Sequence, residues 1–169
     1  MKKLLLLIVS ALLLSGCATT PTANSLFSAE DLKFAEEMIP HHEQAILMSD
    51  IALTNSTSDE VLALARDIKA AQEPEVELMG SWQGVRTSTH MGHTMDGMLS
   101  DEEIQSLRDA EGATFDRLFL EGMIKHHQGA IEMADMIVDS QSPRASTLGK
   151  AIVETQQAEI EKMKELLGR

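Results

Sequence analysis

Two short stretches hold most of the chemistry that this chain could perform. Residues 38–48 read MIPHHEQAILM and residues 123–133 read MIKHHQGAIEM. Each has two adjacent histidines, a methionine three residues ahead of the first and another six residues after the second. His41, His42, His126 and His127 are thus spent on one repeated pattern. The other two histidines, His90 and His93, lie in HMGHTMDGM among Met91, Met95 and Met98. Imidazole and thioether are borderline to soft donors, a pairing that favours Cu(I) and its relative Ag(I) over Mg, Ca or Mn. Methionine has no proton to lose and forms no disulfide, which suits an oxidising compartment, although it can be oxidised to the sulfoxide.

A histidine on an apolar helix face is ordinarily a hydrogen-bonded core residue, and methionine ordinarily fills gaps. The repeat shifts that balance. It brings four imidazoles and several thioethers toward one interior, where imidazoles without a shared partner would leave polar atoms unpaired. The candidate metal ligands are therefore Met38, His41, His42, Met48, Met123, His126, His127 and Met133. On composition alone, His90, Met91, His93, Met95 and Met98 form a second candidate set in a loop that otherwise reads as a glycine-punctuated linker. Imidazole binding is expected to weaken as the pH falls through about 6.5, whereas thioether binding should persist.

Helical spacing says how these residues are positioned. Positions alternating three and four apart share one stripe. Phe34, Met38, His41, Ala45, Met48 and Ala52 make such a stripe, matched by Phe119, Met123, His126, Ala130, Met133 and Ile137. His41 and His126 fall on the seam, with His42 and His127 flanking it. The match runs at a constant offset of 85 through the first helix. It then shifts to 84, pairing Ile68, Gln72, Glu75 and Met79 with Ile152, Gln156, Glu159 and Met163. Each half is a helical hairpin, and two hairpins give an all-α four-helix bundle.

The expected elements are a helix from Ala29 to Thr54 after a cap at Ser28, and a second from Ser58 to Val85 with a kink at Pro74. A short helix to Ala110 is capped by Ser100 and Glu103, a long helix runs from Thr114 to Asp139, and a last follows SQSPR. Pro40 should disturb the first helix just ahead of His41. This divides the bundle, 28–169, into repeat one (29–85), a Met/His-rich loop and short helix (86–113) and repeat two (114–167).

Composition agrees. Aromatic residues make up 3%, with no tyrosine and a single tryptophan, so the core must be aliphatic and methionine-rich, as packed helices allow. The formal charge of -13 argues against nucleic acid as a partner.

The start, MKKLLLLIVSALLLSGC, has a basic head, an apolar run too short for a comfortable span and small residues before Cys17, the chain's single cysteine. LLSGC resembles a bacterial lipobox. Residues 1–16 then form a signal peptide, Cys17 is the lipidated first residue, and 17–27 is a flexible tether. The expected location is the cell envelope: the periplasmic face of the outer membrane in a Gram-negative source, otherwise the outer face of the plasma membrane. The expected partners are a metal ion, the membrane, and a second copy of the chain or a copper-transfer protein.

Two other functions compete with copper sequestration, tolerance or delivery. One is a di-metal oxidoreductase, with iron or copper, of the kind four-helix bundles house on Glu-x-x-His motifs. Here Met38 and Met123 stand where that glutamate would be, and no convincing nucleophilic triad or phosphate loop is present. Glu75 and Glu159 could enter such a site from the second and fourth helices but read more simply as surface charges. The other is a structural envelope lipoprotein without metal.

The stretch GATFDRLFLEGMIKHHQGAIEMAD (112–135) resembles the signature of the bacterial domain-of-unknown-function family 305, and FAEEMIPHHEQAILMSD (34–50) resembles its first repeat. The resemblance spans about residues 30 to 167. It implies a ferritin-like four-helix bundle in an exported protein, similar in some members to periplasmic copper-binding proteins. On the matching positions it implies Met38, His41, His42, Met48, Met123, His126, His127 and Met133 as site residues.

Overall fold

The structure is a computed structural model that describes residues 26–86 and 95–168. Cys17, the signal peptide, most of the tether, and His90, Met91 and His93 lie outside the described residues.

Serines start the first three helices by satisfying backbone donors that a helix cannot satisfy itself. α1 (Ala29–Asn55) opens with a capping box in which the Ser28 hydroxyl accepts from the Asp31 amide and the Asp31 carboxylate accepts from the Ser28 amide. α2 (Asp59–Gly80) opens on Ser58, whose hydroxyl accepts from the Val61 amide. α3 (Asp101–Asp109) has the expected box between Ser100 and Glu103. α4 is Gly112–Ala134, and α5, Pro143–Leu167, begins on a proline that has no amide to satisfy. α1 and α2 continue through Pro40 and Pro74.

Two helices stop earlier than their patterns suggest. α2 ends at Gly80, because the Ser81 hydroxyl bonds the Leu78 carbonyl and the Trp82 amide tightens onto Met79. That turn swings Trp82 inward to stack on Phe27, with ring centroids 4.2 Å apart. α4 ends at Ala134, where the amides of Met136 and Ile137 reach back three residues to Met133 and Ala134. Ile137 is thereby turned fully into the core. Local turn chemistry overrides the apolar period at both ends.

α1 packs along α2, α4 along α5, and α1 crosses α4, giving a four-helix bundle of two hairpins with α3 laid across the connection. The described residues contain no strand. The fold is all-α and consistent with the ferritin-like type. Asn55, closing α1, donates to the carbonyls of Leu107, Arg108 and Ala110 and so ties down the end of α3.

The apolar interior is not continuous. One cluster gathers Phe34, Met38, Met79, Trp82, Ala130, Ala134, Ile137 and Ile152. The other gathers Ala45, Met48, Leu64, Ile68, Phe115, Phe119, Met123 and Met163. Along α1, Met38 and Met48 belong to different clusters, and His41 and His42 fall between them. Along α4, Met123 and Ala130 do the same around His126 and His127. Antiparallel crossing of the two helices thus places a polar layer across the middle of the bundle.

Candidate metal centre

All four helical histidines are completely buried, the flanking pair as fully as the seam pair. His41 and His126, brought together by the α1–α4 crossing, have ring centroids 3.9 Å apart at 42°. Met38, Met48 and Met123 are fully buried on the same stripes, whereas Met133 is partly buried. The rings therefore face one interior rather than separate surfaces. Met95 and Met98, the described part of the loop set, are partly buried where the loop returns to the bundle.

The outer flanks of the layer are closed by carboxylates. Glu75 of α2 meets His42, Oε2 to Nε2, at 2.8 Å, and Glu159 of α5 meets His127 in the same way at 2.7 Å. The two contacts are equivalent under the repeat. Glu75 and Glu159 are largely sheltered, with side chains 19% and 13% exposed, so their reading as surface charges is corrected. The signal was already in the repeat, because a pair of surface glutamates need not recur at matched positions. Gln72 and Gln156, one turn earlier on the same helices, are also buried and lack hydrogen-bond partners for their side-chain amides.

Sequence gave no sign of the third contact. His41 Nε2 donates to the Asp96 carbonyl at 3.2 Å, so the segment after the loop lies directly against the histidine layer. Gln44 grips the same segment twice, donating to the Leu99 carbonyl (3.0 Å) and accepting from its amide (2.8 Å).

Several ring nitrogens have no partner: Nδ1 of His41, His42 and His127, and both nitrogens of His126. Each buried polar atom left unpaired costs roughly 1–3 kcal/mol, so a ligand that used these nitrogens would offset part of that cost. Burial, then the neighbouring His42, pushes the His41 pKa down to about 3, against the weaker upward pull of the Asp96 carbonyl. Burial, then His41, holds His126 well below the usual imidazole range. The expected loss of imidazole donors near pH 6.5 therefore does not apply to this pair, which stays neutral at lower pH. Among the described residues, no three His, Cys, Asp or Glu side chains form a ready-made metal cage. A cation in the layer would thus draw on few nitrogens at once, leaving thioethers to complete its shell.

The chain carries a prokaryotic membrane lipoprotein lipid attachment site over residues 1–18. Among solved structures it resembles a DUF305 protein from Streptomyces coelicolor (31% identity, 82% of this chain and 92% of that one, TM-score 0.77). It also resembles a DUF305 fragment from Deinococcus radiodurans (32%, 84% and 97%, TM-score 0.74). A third similar structure is CopM in its Cu(I)-bound form (34%, 80% and 94%, TM-score 0.67), a protein also solved in Cu(II)-bound and Ag-bound forms. A search of curated proteins finds no match. The family model described as Domain of unknown function (DUF305) matches residues 31–167, nearly all of the bundle with its histidine layer, and this chain belongs to that family.

Proposed function

We propose that this protein is a lipid-anchored envelope protein that binds Cu(I), and Ag(I), through methionine and histidine, for copper sequestration, tolerance or delivery. The observation that carries the reading is the buried His41–His126 pair, whose tilted, closely packed rings keep unpartnered nitrogens one helical turn from Met38 and Met123. A soft monovalent ion satisfies those nitrogens and the thioethers together, and needs no anionic ligand to balance it. The similarity to CopM, solved with Cu(I) and with Ag, supports the same metal class here. Met38, His41, His42, Met48, Met123, His126, His127 and Met133 are the proposed ligand set. His90, Met91, His93, Met95 and Met98 would capture ions and pass them inward. Cys17 would carry the lipid, with residues 17–27 as tether. Among the described residues no helix is long and apolar enough to cross a membrane.

The test is a cuprous titration of the mature chain in detergent against a competing chelator, beside a variant with His41, His42, His126 and His127 all changed to alanine. The variant is expected to lose the tightest uptake. Equal uptake by both would remove the helical site.

Glu75 and Glu159 give the di-metal oxidoreductase its one specific support, because carboxylates from the second and fourth helices do reach the histidine layer. Oxygen consumption dependent on added iron would favour that reading, whereas a redox-silent, copper-binding protein favours the first.

A further inference from the structure

Three of the four buried imidazoles are held by the same ring atom. His42 and His127 present Nε2 to Glu75 and Glu159, and His41 presents Nε2 to the Asp96 carbonyl. Carboxylates and carbonyls accept hydrogen bonds and cannot donate them, so the proton in each contact sits on Nε2. In a neutral ring that leaves the lone pair on Nδ1. The same three Nδ1 atoms are buried and without partners.

We propose that Glu75, Glu159 and the Asp96 carbonyl are positioning groups that hold the Nε2 protons of His42, His127 and His41, so that each of these rings offers a soft cation its Nδ1 alone. This deepens the copper-binding reading and rests on it. His126, buried against His41, has no hydrogen-bond partner on either nitrogen, so no such group selects its ligating atom. The arrangement separates two tasks. Acceptors outside the layer fix ring orientation and raise the basicity of the facing nitrogen, while the facing nitrogens and thioethers bind. It also explains why both glutamates are sheltered at matched places on α2 and α5: a solvated carboxylate would hold its imidazole less firmly.

The experiment uses the mature chain in detergent micelles with nitrogen-15 histidine. Long-range nitrogen–proton spectra report the tautomer of each ring without metal. Ag(I), which has magnetic nuclei and no accessible redox change, then marks the ligating nitrogen by scalar coupling. The expected result is Nε2–H for His41, His42 and His127 in the metal-free protein, and silver coupling at their Nδ1 atoms. Glu75→Leu and Glu159→Leu should each mix the tautomers of the partner ring and weaken Ag(I) binding about 10–100-fold, with Glu→Gln, which keeps an acceptor oxygen, restoring part of the loss. Coupling at Nε2 of His42 or His127 would overturn the positioning role while leaving metal binding standing, and so would leucine variants that fold and bind as tightly as the parent. Silver that perturbs no imidazole would overturn both this role and the proposed function. The parent spectra decide the ligating atom even if a leucine variant fails to fold.

Discussion

Gly97 and Gly129 meet backbone to backbone. A Cβ built on Gly97 would lie 2.7 Å from the Lys125 carbonyl oxygen and 3.0 Å from the Gly129 Cα, and Gly97 has φ +84°, a left-handed conformation suited to glycine. A Cβ on Gly129 would overlap the Asp96 carbonyl. That carbonyl is the one His41 uses. Gly129 is also the counterpart of Gln44 at the offset of 85, and Gln44 holds the next turn of the same segment through Leu99. The repeat is thus broken where it is useful: one copy provides the grip and the other the space.

Gly129→Ala should therefore destabilise the fold. Alanine is worth about 1 kcal/mol over glycine inside a helix, yet forcing backbone off backbone costs roughly 1–3 kcal/mol or more. A net loss of about 1–2 kcal/mol is expected in urea unfolding, together with loss of the His41–Asp96 contact. Gly80→Ala is the control, since a Cβ there meets nothing within 4 Å. If both substitutions stabilise the protein alike, the close crossing is not as described.

His126→Leu should separate stability from binding. The imidazole removed has two unpaired buried nitrogens, so the metal-free protein should hold its stability or gain up to about 1–3 kcal/mol. The extra stability conferred by Ag(I) should fall sharply in the same variant. A loss of several kcal/mol without metal would instead give His126 a structural role and favour the plain lipoprotein reading.

Metal-free stability should fall on acidification below neutrality. The folded-state pKa of His41 is depressed to about 3, chiefly by burial, and that of His126 is also well below normal, whereas an unfolded histidine titrates near 6.5. Below about 6.5 the unfolded chain binds protons that the folded chain refuses, so stability contributed by these groups is complete above that pH and is lost as the pH drops toward the folded values. The slope is about 1.4 kcal/mol per pH unit for each such histidine. Urea midpoints measured without metal between about pH 7 and pH 5 test this. A flat profile in that window would sink it, and a His41→Leu/His126→Leu double variant should be much flatter than the parent.

Binding to the folded layer should also raise thermal stability. Free Ag(I) at one hundred times its dissociation constant adds about 2.7 kcal/mol if the unfolded chain does not bind it. Calorimetry should show a transition that climbs with silver concentration in the parent and barely moves in the variant lacking all four helical histidines. Equal shifts in the two proteins would place binding outside the layer.

The sequence alone was enough to specify the helices, their pairing into two hairpins and the burial of His41 and His126, because apolar spacing and serine caps act within a few residues along the chain. The repeated HHxxAI phrase also fixed which faces must meet, since a helix can bury only the stripe its sequence supplies. The early stops at Gly80 and Ala134 were less legible, because short side-chain and three-residue backbone bonds there compete with a period that continues past them. The repeat marked Glu75 and Glu159 as a matched pair, but tertiary structure decided which groups the layer's histidines meet. Glu75, Glu159 and the Asp96 carbonyl reach their histidines across 33, 32 and 55 residues of chain, distances over which no local pattern carries information. Whether a glutamate ends in water or against an imidazole depends on how two hairpins rotate about each other, and that rotation is set by the whole core at once.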